Sequence, residues 1–307
     1  MISYLFLSFF ISFIISLFII IQSKRISSLI SDHLHVGPQR FHYSPTPRIG
    51  GTGIFIALPG ALALVFLRRE SCSYDFVLLI LCSVPVFFAG FLEDILAKFS
   101  VKLRLLLIGI GPTMAFFLLD ASIKRVDIPL DAFLSFGIFS FIFTVFAIVG
   151  ITNAINIIDG FNGLASMVSM IILLALGYVS YKGGDHFLII FCISLIGAIA
   201  GFFILNYPNG LIFLGDGGAY LIGFLIGTIS VLLGNRHSEV SPWFPFVVCV
   251  YPIFEVVFSM YRKTFIRGIS PFSPDGLHLH MIIYKRLTKK LLGPTALPFS
   301  GFYAHLE

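Results

Sequence analysis

Residues 153–164, NAINIIDGFNGL, place polar side chains at the end of an otherwise apolar segment. Polar groups are costly to bury in such a setting, so their presence points to a function. Asn153, Asn156 and Asp159 follow at intervals of three, so on a helix they share an arc of about 120° and can converge on one ligand. Two following glycines let the backbone turn and a bulky anion approach. The alternative is an amide-mediated contact between helices.

Two adjacent carboxylates, Glu93 and Asp94, stand at the end of another apolar run and are followed by Lys98 and Lys102. Carboxylates near cations suit either a divalent cation with phosphates or a general base whose pKa the neighbours tune. The alternative is a solvated helix end on which Asp94 pairs with Lys98. The pair is therefore a candidate for phosphate or metal chemistry.

A further carboxylate, Asp216, lies between glycines in the segment FLGDGG, where a helix is predicted to begin. Carboxylate oxygens bind hard cations and leave coordination positions open for water and substrate phosphates. An ordinary helix N-cap is the alternative. The residue is thus a candidate metal ligand.

Two loops add side chains that can bind anions. HLHM places His278 and His280 two apart, which suits an extended loop presenting imidazoles to a phosphate and supplies too few ligands for zinc. PTPRIGG carries Arg48, with Arg40 and His42 upstream, and guanidinium groups bind phosphate in bidentate geometry. The alternatives are a satisfied histidine and a basic anchor at the membrane surface.

Membrane-spanning helices must position these groups. The 307-residue chain is 58% hydrophobic and 11% charged, with a mean hydropathy of +1.00, which indicates one polytopic membrane domain over residues 1–307. Its apolar runs predict an all-α transmembrane bundle of nine spans, the first of which is retained because its basic residues follow it. The spans cover residues 3–22, 50–67, 76–92, 103–119, 133–152, 164–181, 187–205, 217–234 and 244–261.

The basic residues predict the orientation. With the N-terminus outside, the inner loops hold 14 Lys and Arg residues and the outer loops hold 6. The acidic and histidine clusters then follow the third, fifth, seventh and ninth spans, so all of them face the cytoplasm. The net charge of +5 reflects these loops, and nucleic-acid binding is not expected.

In this order, PTPRIGG, the acidic pair, NAINIIDGFNGL, FLGDGGAYLIG and HLHM resemble the motifs of the polyprenyl-phosphate N-acetylhexosamine-1-phosphate transferases, which form glycosyltransferase family 4. This superfamily includes the phospho-N-acetylmuramoyl-pentapeptide transferase. The resemblance implies transfer of a sugar 1-phosphate from a UDP-N-acetylhexosamine to a polyprenyl phosphate such as undecaprenyl phosphate, with Mg²⁺ or Mn²⁺ required and UMP released. The closer likeness is to the branch that begins O-antigen and related cell-envelope glycans. A multi-pass protein of the bacterial inner (cytoplasmic) membrane is expected, and a homodimer is one expected assembly.

The resemblance also implies roles for individual residues. Asp216 is expected to bind the metal, with Asp159 as a second ligand and Asn156 supporting the metal and the pyrophosphate. Phe213 is expected to stack on the uracil. The expected catalytic residues are Glu93, Asp94, Asp159, His278 and His280, and the expected substrate contacts are Arg48, Lys98, Lys102, Asn153, Asn156, Asn162 and Phe213.

Four features depart from the family pattern. Glu93 stands where many members have an aspartate, so the negative charge is kept. Asn162 stands where members often have an aspartate, so the negative charge is lost. Met281 ends a tract that often has a third histidine. Residues 291–307 are too short and too broken by proline for the further span that the family has, so we expect a truncated end and impaired activity.

Two other functions are compatible with the sequence. A secondary transporter would place kinked helices and intramembrane acids around a midplane site, but here the acids lie at one face and no inverted repeat is visible. An inactive membrane scaffold is favoured only by the C-terminus.

Overall fold

The computed structural model describes residues 1–30, 46–96, 100–127, 129, 131–268 and 278–283. These residues form helices and contain no β-strand, which confirms the predicted all-α class. The helices are α1 (Ile2–Ile30), α2 (Gly51–Leu67), α3 (Ser73–Leu96), α4 (Val101–Leu119), α5 (Asp131–Leu134), α6 (Gly137–Ile158), α7 (Leu164–Gly183), α8 (His186–Asn206), α9 (Gly215–Arg236), α10 (Trp243–Val248), α11 (Val250–Tyr261) and α12 (Leu279–Ile283).

The chain is a multi-pass membrane protein. Within the described ranges, six helices are long and apolar enough to cross a membrane, namely α1, α3, α6, α7, α8 and α9. Two shorter apolar helices, α2 and α4, coincide with the second and fourth predicted spans. Eight of the nine predicted spans therefore correspond to one apolar helix each, while the side of the membrane that each end faces stays a prediction.

The ninth predicted span, residues 244–261, is not one continuous helix. It is divided at Cys249 into α10 and α11, and a π-helical turn, Arg262–Ile266, follows directly. Pro252 explains part of the break, because proline has no amide N–H and its ring clashes with the carbonyl four residues earlier. The prediction missed the division because both halves are apolar.

Helix α9 is the central element of the bundle, and α2, α3, α4, α6 and α7 all pack against it. Nearly every side chain of α9 is buried, as expected for a helix that is apolar on all sides. Small residues allow its neighbours to approach closely, since a Cβ on Gly51 of α2 would collide with the Gly218 Cα. The N-terminal end of α9 is consequently where the ends of α2, α3 and α6 meet.

The opposite end of the bundle carries a separate set of ion pairs and hydrogen bonds. Arg236, the last residue of α9, pairs with Asp75 at the start of α3 over 2.7 Å. Asn235 donates to the Asp120 carbonyl over 2.7 Å. The predicted acidic cluster and these pairs thus lie at opposite ends of the spans.

Candidate active site

A carboxylate of α3 caps the N-terminal end of α9. The two carboxylate oxygens of Asp94 accept hydrogen bonds from the backbone N–H groups of Asp216 (2.9 Å) and Gly217 (3.0 Å). The first turn of a helix leaves these N–H groups without partners inside the helix. Asp216 is therefore not the N-cap residue, a position that Leu214 occupies, and the alternative of an ordinary cap at Asp216 is wrong.

The backbones around Asp216 approach so closely that two neighbouring positions require glycine. A Cβ on Gly90 would lie 2.5 Å from the Asp216 carbonyl carbon. Gly215 has φ of +75°, and a Cβ there would lie 2.6 Å from Asp94 Oδ2 and would collide with the Arg48 carbonyl. These glycines bring α3, α9 and the loop before α2 together around one carboxylate.

Helix α6 contributes the polar residues of the central motif. Asn156 Nδ2 donates a hydrogen bond of 2.6 Å to Asp216 Oδ1. The helix ends at Ile158, and Asp159 is the residue immediately after it, with φ of −77° and ψ of 50°. Asn153 and Asn156 therefore lie on one helix, as predicted from their spacing. Asp159 does not share that helix and lies in the turn that follows it.

Asp159 lies close enough to Asp216 for their charges to interact. Burial and then the charge of Asp216 raise the pKa of the Asp159 carboxyl to about 7, against the opposing charge of Arg48. Two mutually repelling carboxylates are a suitable donor set for Mg²⁺, which proteins hold by one or two carboxylates together with waters and substrate phosphates. Among the described residues, no group of three or more His, Cys, Asp or Glu side chains could hold a metal. The two carboxylates thus fit a cation that is shared with a substrate.

Glu93 is held by Arg104 and Tyr220, two residues that were not predicted as site residues, although Tyr220 lies within FLGDGGAYLIG. Arg104 of α4 donates from Nη1 to Glu93 Oε1 over 2.8 Å, and the Tyr220 hydroxyl of α9 donates to Oε2 over 3.4 Å. Both side chains of the ion pair are largely buried, with exposed fractions of 24% and 17%. This arrangement and the Asp94 cap contradict the alternative of a solvated helix end. Arg104 could have been found from the sequence, because a cation within an apolar helix is costly and therefore points to a functional or structural partner.

The PTPRIGG loop is hydrogen-bonded to the stretch that precedes α9. The Phe213 N–H donates to the Pro47 carbonyl, and the Phe213 and Leu214 carbonyls accept from Gly50 and Gly51, each over 2.9 Å. This pairing fixes the loop's arginine beside the acidic cluster. It also holds the backbone of Phe213, the residue expected to stack on uracil, next to the start of α9.

Two asparagines fasten the loop after α6 to the loop before α9. Buried Asn206 accepts from the Gly163 N–H through Oδ1 (2.6 Å) and donates to the Ile212 carbonyl through Nδ2 (2.8 Å). Asn162 donates to the Pro208 carbonyl over 3.2 Å. Asn206 was not predicted, although it opens the polar segment NYPNG directly after an apolar span. The expected substrate contact of Asn162 stays a prediction.

The remaining predicted residues are less closely tied to this centre. Asn153 donates to the Val149 carbonyl of its own helix over 2.8 Å. His278 is buried beside Glu255 of α11, with 3.6 Å between Nδ1 and Oε2. Arg40, His42 and Lys98 lie outside the described residues, as do the side chains of Lys102 and His280.

The family of the protein follows from comparison with known sequences. Residues 76–234, just over half of the chain, match the model of glycosyl transferase family 4. The matched range contains the acidic pair, the central motif and Asp216. The chain belongs to this family, which confirms the expected membership and the class of membrane transferases. The transporter interpretation loses its support.

Several curated proteins named undecaprenyl-phosphate alpha-N-acetylglucosaminyl 1-phosphate transferase are similar to the chain. The protein of Yersinia pestis is 29% identical over 257 residues, which are 80% of this chain and 67% of the relative. The proteins of Escherichia coli (strain K12) and Thermotoga maritima are 33% and 32% identical over 118 and 96 residues. Those alignments cover 36% and 31% of this chain and 31% of each relative. The chain thus aligns with two thirds of the first relative and under a third of the other two.

Proposed function

We propose that the protein transfers an N-acetylhexosamine 1-phosphate from a UDP-sugar to undecaprenyl phosphate and releases UMP, as the first membrane step of an O-antigen or related cell-envelope glycan. The observation that carries this proposal is the meeting of three carboxylates at one end of the bundle: Asp94 of α3, Asp216 of α9, and Asp159 from the turn after α6. Family membership and the names of the relatives support the acceptor lipid and make N-acetylglucosamine the first sugar to test.

In this reaction, an oxygen of the lipid phosphate attacks the β-phosphorus of the donor. The bond between that phosphorus and the bridging oxygen breaks, and UMP leaves with the bridging oxygen. Both substrates are anionic and meet at the boundary between lipid and water. The protein therefore contributes mainly by positioning the two phosphates and offsetting their charge.

We assign Mg²⁺ or Mn²⁺ as the cofactor and Asp216 with Asp159 as its ligands. A bound divalent cation would neutralise charge on the donor's pyrophosphate. Asn156 fixes the orientation of the Asp216 carboxylate through its 2.6 Å hydrogen bond. Asp94 fixes the helical turn that carries Asp216. The orientation of the principal ligand thus depends on residues of two other helices.

The acidic pair is proposed to handle the acceptor phosphate. Of the two, Glu93 is the better candidate for taking up a proton, because the hydrogen bond to its Oε2 from Tyr220 is long, at 3.4 Å, whereas both Asp94 oxygens accept shorter backbone hydrogen bonds. A weak base is sufficient, since the second pKa of a phosphate monoester is about 6 and most of the acceptor is a dianion at neutral pH. Arg104 and Tyr220 hold Glu93 in place for this role.

The other expected contacts complete the proposal. Phe213 is assigned to the uracil ring, which an aromatic side chain can stack against. The phosphates are assigned to cationic and imidazole side chains, and the rest of the donor to amides. These residues are Arg48, Lys98, Lys102, His278 and His280 for the phosphates, and Asn153 and Asn162 for the rest of the donor.

The test is release of UMP by the purified full chain with a panel of UDP-N-acetyl sugars, undecaprenyl phosphate and Mg²⁺. We expect release that requires all three components, stops with a chelator and returns with added metal. Asp216→Asn is expected to lower the rate about 100-fold or more, because a bound cation supplies several kcal/mol of charge stabilisation. Asp75→Asn, at the opposite end of the bundle, is the control. The proposal fails if no sugar yields UMP while the Yersinia pestis relative is active in the same assay.

A further inference from the structure

Arg104 carries hydrogen-bond donors that the protein itself does not use. Its Nη1 donates to Glu93 Oε1 over 2.8 Å, and this is the one hydrogen bond that the guanidinium makes to the described part of the chain. Nε is buried and has no hydrogen-bond partner. A guanidinium has five N–H donors, and a buried donor without a partner is costly and rare in native structures. The unused donors of Arg104 therefore point to a ligand.

These donors lie along one edge of the guanidinium. Nη1 is held by Glu93, whereas the N–H groups of Nε and Nη2 point to the same side of the planar group. Two parallel N–H groups match two oxygens of a phosphate, and this bidentate contact is the reason that arginine is common in phosphate sites. The side chain is 24% exposed, so a ligand can reach it. The edge is thus suited to a phosphate.

The acidic centre needs a cation at this position before it can accept an anion. Arg104 lies close enough to Glu93 and Asp216 for the charges of both carboxylates to act on it. A phosphate that enters beside these two carboxylates is repelled by them, and the repulsion is strong where water is largely excluded. A neighbouring guanidinium offsets this repulsion. Arg104 therefore meets an electrostatic requirement of the site as well as a geometric one.

The position of Arg104 indicates which substrate carries the phosphate. The residue belongs to the first turn of α4, which begins at Val101. On the same helix, Leu103, Leu106 and Ile110 are 47%, 65% and 38% exposed, and their intervals of three and four place them on one face. An open apolar face of a membrane helix borders the lipid. A phosphate attached to a prenyl chain can thus reach Arg104 from the bilayer, so the acceptor is a better match than the donor.

We propose that Arg104 binds the phosphate of the polyprenyl-phosphate acceptor through Nε and Nη2, a role that rests on the function proposed above. Glu93, bonded to Nη1, holds the guanidinium in place and lies beside the same phosphate. The candidate base and the cation that receives the acceptor are then adjacent. Arg104 is a substrate-binding residue and not only the partner of Glu93.

Equilibrium binding tests this role, because it requires neither donor nor turnover. The purified full chain in detergent is titrated with a short-chain polyprenyl phosphate, and with the corresponding polyprenol as the probe that lacks a phosphate. We expect the wild-type chain to bind the phosphate form more tightly than the alcohol. Arg104→Met is expected to weaken binding of the phosphate form about 10-fold to 100-fold and to leave binding of the alcohol unchanged. Arg236→Met, which breaks an ion pair of similar exposure at the opposite end of the bundle, is the control.

Two further variants separate phosphate binding from the support of Glu93. Arg104→Lys keeps the charge and loses the bidentate edge, so an intermediate affinity is expected even if Arg104→Met folds poorly. Glu93→Ala leaves Arg104 in place and removes a repelling carboxylate, so this variant is expected to bind the phosphate form at least as tightly as the wild type. Equal weakening in Glu93→Ala and Arg104→Met overturns the proposal, because Arg104 would then act only through Glu93. Equal affinity of the wild type for the phosphate and the alcohol overturns it as well.

The outcome is distinguishable from that of the proposed function. If the wild-type chain binds polyprenyl phosphate through Arg104 but releases no UMP with any UDP-sugar, the proposed function fails and the phosphate site stands. If UMP is released and Arg104→Met binds the acceptor as tightly as the wild type, the proposal for Arg104 fails and the function stands.

Discussion

Asn156 Nδ2 lies 2.6 Å from Asp216 Oδ1, although the two residues are 60 positions apart in the chain. The bond joins the C-terminal end of α6 to the first turn of α9. An amide that donates to one carboxylate oxygen leaves the other oxygen available and fixes its direction. The orientation of Asp216, the candidate metal ligand of α9, therefore depends on a residue of α6.

Replacement of Asn156 by alanine removes this donor. We expect kcat/KM for UMP release to fall about 10-fold to 100-fold, with a higher Mg²⁺ concentration needed for half-maximal rate. Asn156→Asp places a further carboxylate beside Asp216 and is expected to lose more activity. Titration of the rate with Mg²⁺ provides the measurement. Asn235→Ala, which removes an amide at the opposite end of the bundle, is the control, and an unchanged Mg²⁺ dependence in Asn156→Ala would contradict the prediction.

Replacement of Gly90 by alanine tests the close approach of α3 to α9. The added Cβ would lie 2.5 Å from the backbone of Asp216, so the helices must separate or shift. We expect a loss of about 1–3 kcal/mol in stability from overpacking, together with lower activity, because the Asp94 cap moves with α3. Gly109→Ala is the matched control, since its Cβ would have no atom within 4 Å. Thermal unfolding in detergent measures the difference, and equal midpoints for the two variants would contradict the prediction.

Replacement of Arg104 by methionine leaves Glu93 without its ion-pair partner. Removing one member of a largely buried pair is costly, so we expect a fall in activity of about 10-fold or more and a lower unfolding temperature. Arg104→Lys, which keeps the charge, is expected to retain part of the activity. The control is Lys124→Met, because the Lys124–Asp120 pair is 55% and 70% exposed and such pairs contribute little. Wild-type activity in Arg104→Met would show that Glu93 does not need this partner.

Replacement of Asn206 by leucine removes both hydrogen bonds that connect the loops around Gly163 and Ile212. Each buried group left without a partner costs about 1–3 kcal/mol, so a measurable loss of stability is expected. Asn206→Asp retains an acceptor for the Gly163 N–H and is expected to lose less. Asn209→Leu, in the same loop but exposed, is the control. Unfolding midpoints and UMP release are both measured, and equal values for the variants at 206 and 209 would contradict the prediction.

Much of the candidate site could be predicted from single positions. Asp159 and Asp216 stood out because carboxylates are rare and costly in apolar segments. The same argument would have found Arg104 and Glu255, which lie inside apolar helices and were not singled out. The sequence could not predict that Asp94 binds the backbone of α9 while Glu93 pairs with Arg104, because adjacent carboxylates look alike in sequence. Asp94 caps a helix whose first turn lies 122 residues further along the chain.

The sequence by itself determined the helical class, the multi-pass character and most of the candidate site residues. These properties depend on the length of apolar runs and on the cost of polar groups within them, which are local quantities. Only the tertiary structure decided which groups are partners. The bonds Asn156 to Asp216, Asp94 to α9 and Arg104 to Glu93 depend on how helices cross and rotate against one another. That geometry arises from close contacts such as the one at Gly90, which spacing along a single helix does not specify.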